Sequence, residues 1–225
     1  MHFLRNHWYQ FGLLFFIGLN FFLLLSEYRQ MTTLQVLLCA SLMTLPLHQY
    51  EEYALPGGGP VVINRIFYGE KNLYDRYPGN WNSIMIVNLS AYVVYILALL
   101  FPKVIWLGTA TMFFNLFQVL GHGIEMNIKM RTWYNPGMAS AVLLMLPISC
   151  AYLYQIVTLQ LISELIWLLS CVTFIAILLL TVVLPVQLCK DKQSKYIIPQ
   201  WQIEQFKKVR QFAAIHKENC EEESI

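Results

Sequence analysis

His48, Glu51 and Glu52 stand in the run His48-Gln49-Tyr50-Glu51-Glu52 at the close of one apolar stretch, and His122 and Glu125 close another. Two imidazoles and three carboxylates are metal-ligand types, because neutral imidazole nitrogen combined with carboxylate oxygen suits zinc, iron or manganese. On a helix each residue advances about 100°, so Glu51 and Glu52 lie about 60° to one side and about 40° to the other of His48. All three share one face, and partners three or four residues apart let one rigid helix present two donors. The same arithmetic puts Asn115, Gln118, His122 and Glu125 within an arc of about 80°, a polar stripe on an apolar helix that must face protein. An ionisable group in hydrocarbon costs roughly 2.5 to 3.5 kcal/mol on insertion scales, so each of these asks for a partner. A single histidine or glutamate at a helix end is ordinarily an interfacial residue that reaches water. Glu51, Glu52 and Glu125, however, acidic residues in or beside the apolar stretches, each lie close to a histidine.

The chemistry such a set performs is activation of water. A one-metal hydrolytic centre needs two histidines, one carboxylate and an open position, with another carboxylate as base. His48, His122 and either Glu52 or Glu125 are the expected ligands, with Glu51 as base and Glu52 as the other catalytic carboxylate; zinc is the first choice of metal, with iron or manganese open. A di-iron bundle uses four carboxylates, and only three are at hand. Asn82, Asn88 and Asn135 are expected at the same depth, and with Asn115 and Gln118 they are candidates to hold ligands or substrate by hydrogen bonds. Pro136-Gly137 reads as a turn and helix start.

The elements that must position these groups are membrane helices. Of 225 residues, 57% are hydrophobic and 12% charged, and the mean hydropathy is +0.51, outside the range of a soluble domain. Apolar runs at about 8–25, 33–50, 82–101, 104–126, 138–158 and 162–188 are each near the length a helix needs to cross a bilayer. The expected fold is all-α: a polytopic bundle of about six spans over residues 1–189, then a cytoplasmic tail, 190–225, holding an amphipathic helix built on Trp201, Ile203, Phe206, Val209, Phe212 and Ile215. That helix would lie on the membrane or on the protein's own loops. Pro46 threatens to break the second run. The first run sits behind Arg5 like a signal sequence, yet Ser26-Glu27-Tyr28-Arg29 offers no small-residue cleavage site, so it is expected to be retained.

With six spans, 13 basic residues from Arg5 to Lys217 fall on the side of the termini and only Arg29 and Lys103 on the other, which makes that side cytoplasmic. The second and fourth spans then run the same way and bring His48 and His122 to one depth. Five cysteines, with no Cys-x-x-Cys pair, indicate neither a disulfide framework nor a zinc knuckle. Gly57-Gly58-Gly59-Pro60 lacks the Lys-Ser/Thr ending of a phosphate loop and reads as a hinge or lid. A net charge of +2, with topology accounting for the basic residues, argues against nucleic-acid binding.

From His48 to Glu52 the chain resembles the HXXEE-domain family, small polytopic membrane proteins of unestablished activity that are suspected to be membrane enzymes. His122-Gly-Ile-Glu125, Asn135-Pro-Gly and the helical layout over about residues 10–188 carry the likeness further. The resemblance implies an enzyme-like polar site and no particular reaction. The leading expectation is a metal-dependent hydrolase of a lipid-like or membrane-embedded substrate at the cytoplasmic leaflet. A di-iron oxidoreductase, an ion- or proton-coupled transporter, and a scaffold or secreted effector acting through its tail are the alternatives.

Overall fold

A computed structural model describes residues 2–25 and 30–215. Residues 26–29, Lys217, Cys220 and the acidic cluster 221–223 lie outside the described residues, so the cleavage-site question and that part of the charge count do too. The described residues form helices and no strand; Thr132 and Ala214 meet in one isolated antiparallel bridge.

We number the helices α1 (His2–Leu25), α2 (Thr33–Tyr53), α3 (Gly59–Val61, running on as a π turn Val62–Phe67) and α4 (Trp81–Leu100). Next come α5 (Ile105–Leu120, a π turn Gly121–Glu125, then Met126–Met130), α6 (Met138–Thr158), α7 (Glu164–Cys189) and α8 (Gln200–Ala213). The starts follow the sequence. Thr32 accepts from Gln35 N while the Gln35 side chain accepts from Thr32 N at 3.0 Å, a capping box. Asn80 caps α4 by accepting from the backbone of Asn82 and Ser83, and Ser163 caps α7. The helix α2 runs unbroken through Pro46 to Tyr53, which brings the whole His48–Glu52 run onto helix.

Among the described residues three helices, α4, α6 and α7, are long and apolar enough to cross a bilayer. Their polar residues separate α2, with His48, Gln49, Glu51 and Glu52, and α5, with Asn115, Gln118, His122 and Glu125, from these apolar helices. The outer face of α7 is bare aliphatic surface: Leu165, Leu168, Val172, Ile175, Leu179 and Leu180 are all exposed. Water wets such a continuous face poorly and lipid covers it readily.

Three buried clusters succeed one another along α2. Leu34 and Leu38 pack with Met112, Tyr152 and Ile156; Leu42 and Leu45 with Tyr95, Phe114 and Ile177; Tyr53 with Trp8, Trp81 and Met126. Between the first two, Asn115 ties three helices together, donating to Ser41 Oγ at 2.8 Å and accepting from Tyr95 Oη at 2.5 Å. The third cluster also takes in Ile203 and Phe206 of α8. One face of α8 is thus packed on the protein's own loops, while Trp201 and Phe212 on it stay exposed.

Candidate metal centre

The C-terminal turns of α2 and the π turn of α5 meet, and His48, Glu52 and His122 converge there in full burial, one donor atom from each lying within 4.8 Å of the others. His48 Nε2 is 3.8 Å from Glu52 Oε2, and His122 Nε2 is 3.3 Å from Glu52 Oε1. Ligand atoms bound at about 2.0–2.1 Å in a tetrahedron stand roughly 3.3 Å apart, so the carboxylate is already near ligand spacing from both rings. The rings meet edge to face, with centroids 4.9 Å apart.

Hydrogen bonds on the far side of each ring fix which nitrogen is presented. His48 Nδ1 lies 3.1 Å from Gly137 O and 3.0 Å from Ser140 Oγ; a carbonyl only accepts, so Nδ1 carries the proton. Asn135 spends both amide hydrogens, on His122 O at 2.6 Å and Asn127 Oδ1 at 2.8 Å, so its oxygen, 2.9 Å from His122 Nδ1, accepts from that ring. Both Nε2 atoms therefore face the carboxylate with lone pairs when the rings are neutral. His48 Nε2 is buried with no hydrogen-bond partner, a costly condition that a cation between the three donors would relieve. Outer groups of this kind orient metal-binding imidazoles generally.

Glu51 faces elsewhere. Its carboxylate accepts from Ala139 N at 3.0 Å, Ser140 N at 2.8 Å, Ser140 Oγ at 2.5 Å and Tyr134 Oη at 2.8 Å. That makes it an anionic cap on the N-terminus of α6, where free amides and the helix dipole favour negative charge. Burial first, and then the Glu51 charge, push the Tyr134 phenol up from its ordinary pKa. Since Ser140 both accepts from His48 and donates to Glu51, the adjacent glutamates of the motif do different jobs: Glu52 faces the centre, and Glu51 braces it from behind.

The other candidates have different partners. Glu125 lines the same cavity as the centre but is half exposed and accepts from Lys129 Nζ at 2.8 Å. A π turn takes more residues per turn than an α turn, so Glu125 is rotated off the stripe that a regular helix would have given it. Gln118 and Asn88 also line the cavity; Asn88 donates to Tyr53 Oη at 2.9 Å. Asn115 lies deeper, its polar atoms satisfied in the core, and Asn82 accepts from Arg5 Nε at 3.2 Å. Of the five amide candidates, only Asn135 holds a histidine ring.

Gly137, which its place in Asn135-Pro136-Gly137 marks only as a turn, does more. Its φ is +98°, and a Cβ there would come within 2.6 Å of His122 Cε1 and 2.9 Å of His48 Cε1. Its lack of a side chain is what lets the two rings approach, and its carbonyl orients one of them. The Asn-Pro-Gly string was the available signal. The glycine run after α2 is likewise no open hinge: Gly57 and Gly58 are buried, and a Cβ on Gly58 would meet Phe206 N at 2.7 Å. Gln202, fully buried, accepts from Gly58 N and donates to Tyr53 O at 2.9 Å, securing the end of the motif helix.

The model of a family described as "Protein of unknown function with HXXEE motif" matches residues 39–152, which hold the centre and the groups hydrogen-bonded to its two rings. No curated protein and no solved structure matches the chain.

Proposed function

The chain belongs to the HXXEE-motif family, whose function is unknown, and from the geometry of its buried centre we propose that it is a metal-dependent hydrolase embedded in the membrane, acting on a lipid-like substrate. The observation that carries this is the pair of Nε2 lone pairs turned by their supports onto one buried carboxylate. His48, His122 and Glu52 are the ligands. A divalent ion held by them would supply Lewis acidity and make a water acidic enough to lose a proton near neutral pH; zinc suits this donor set best, with iron or manganese as alternatives.

The protein's own groups supply the rest. Glu51, with both oxygens engaged at the start of α6, is unsuited to the base role and holds α2 and α6 in register instead. Glu125 lines the same cavity and is the remaining carboxylate placed to take a proton. In hydrolysis of an ester or amide the water oxygen bonds to the carbonyl carbon, the C–O or C–N bond breaks, and the proton accepted by Glu125 passes to the leaving group. The six-span arrangement with both termini cytoplasmic belongs to the same proposal, and it places the centre at the cytoplasmic leaflet. A carrier would need polar groups continuing across the bundle, whereas beyond Asn115 the core is mainly Leu34, Leu38, Met112, Tyr152 and Ile156, and the buried Thr109 and Thr111 donate to the backbone of their own helix.

Metal analysis of the detergent-purified protein tests it. Wild type is expected to hold stoichiometric divalent metal, and His48→Ala and His122→Ala to lose it. Folded wild type that takes up no zinc, iron(II) or manganese on incubation would overturn the proposal.

A further inference from the structure

A cavity of about 260 Å³ leads away from the centre between α4, α5 and α7. His48, Glu52 and His122 line it together with the polar Asn88, Gln118 and Glu125, and the rest of its wall is mostly apolar, with Ala91, Phe114, Phe117, Leu178, Val182 and Val183 among the lining residues. The path of α7 creates it. The first half of α7 packs on α5, with Phe113 stacked on Trp167 at 6.0 Å and Phe117 against Phe174 at 6.2 Å. From the π turn Leu178–Val183 onward, α7 packs on α4 instead: Ser90 Oγ donates to Thr181 O at 3.2 Å and Asn80 Nδ2 to Cys189 O at 2.6 Å. The ends of α5 and α7 therefore diverge at the depth of the centre. Phe117 on one edge of the gap and Val183 on the other are exposed at 39% and 40%.

We propose that this gap is a side entrance from the bilayer, through which one hydrocarbon chain of a membrane lipid enters and lies against Phe114 and Ala91 with its carbonyl end at His48, Glu52 and His122. It names the substrate class for the centre proposed above and rests on that reading for the chemistry, though not for the binding. The volume lies just below the roughly 300–1,000 Å³ of common ligand pockets, which leaves room for a single chain and none for a second. The mostly aliphatic and aromatic wall rewards a methylene chain by about 0.8 kcal/mol per buried CH₂, and its polar groups are few. Both edges are apolar, and one belongs to a helix whose outer face is continuous aliphatic surface, so the chain arrives from lipid and not from water.

Photocrosslinking tests this with a palmitate bearing a diazirine at mid-chain, incorporated into phosphatidylcholine nanodiscs with the protein. Labels are expected on the Phe114–Phe117 and Leu178–Val183 segments, competed by excess palmitate, and reduced about tenfold in Ala91→Trp, which fills the cavity. Val183→Trp, at an exposed edge where the fold is indifferent to size, should give the same loss and decides the matter if the buried variant misfolds. Labels spread over outward residues such as Leu168 and Val172, or unchanged in Val183→Trp, would overturn the entrance. Labelling should survive in His122→Ala. Wild type that takes the probe yet binds no metal would thus remove the hydrolase and leave the chain site standing, and metal-bearing protein that rejects the probe would do the reverse.

Discussion

The ends of α2 and α5 each carry a histidine followed within four residues by glutamate, yet they use them differently. In α2 the backbone is regular, and His48 and Glu52, four residues apart, point into one buried space while Glu51 caps a neighbouring helix. In α5 the backbone swells into a π turn at Gly121–Glu125, His122 is buried, and Glu125 is swung toward the mouth and onto Lys129. Angular arithmetic on sequence holds only while the helix stays regular. The difference also divides labour, giving the α2 end a fixed donor pair and the α5 end one donor plus a carboxylate open to exchange.

The most severe way to break that contrast is to push both ends apart at once. Gly137→Ala adds a methyl group inside contact distance of both imidazoles, at a φ of +98°. Left-handed backbone strain alone costs about 1–3 kcal/mol, and the clash adds to it. Metal content is expected to vanish and the melting temperature to fall sharply, read by mass spectrometry of bound metal and by thermal unfolding in detergent.

The motif's two glutamates provide the next contrast. Glu52→Gln removes the carboxylate shared by both rings and is expected to abolish metal binding while the fold persists. Glu51→Gln should keep the metal but weaken it about 10–100-fold, the usual effect of losing a supporting group, as measured by competition with a chelator. Equal losses from the two would contradict the separate roles assigned to them. Gln202→Ala is milder still: it leaves Gly58 N–H and Tyr53 C=O without their side-chain partner, at a cost of about 1–3 kcal/mol in unfolding, with metal stoichiometry retained.

The smallest effect concerns Tyr134. Its raised pKa means the neutral phenol is favoured by the fold, so the stability it contributes is intact below about pH 10 and lost as pH rises beyond that. Tyr134→Phe loses the hydrogen bond to Glu51, so it should lower the melting temperature slightly at neutral pH and flatten its further fall above about pH 10.

Much of this was legible in the residues alone. Hydropathy placed the long helices within a few residues, because a stretch of Leu, Phe, Ile and Val from 162 to 188 has few other ways to satisfy its backbone in lipid. The convergence of His48 with His122 followed from counting helices and asking which ends share a side. The fate of Glu125 was not readable, since no residue in Gly121–Glu125 announces a π turn. Nor was that of Asn115, whose stripe position suits a core tether to Ser41 and Tyr95 as well as it suits a site. Gly137 needed coordinates, because a turn glycine and a glycine that makes room for two rings are the same letter.

The helix α8 grips the molecule at two places: Gln202 on the segment just after the motif helix, and Ala213 to Ile215 on the segment before α6, where Trp133 N donates to Ala213 O at 3.0 Å and Ile215 N to Arg131 O at 3.1 Å. Both of those segments are synthesised earlier than the helix that clasps them. The segments on either side of the centre are thus clasped by a stretch that the ribosome adds more than sixty residues after Gly137.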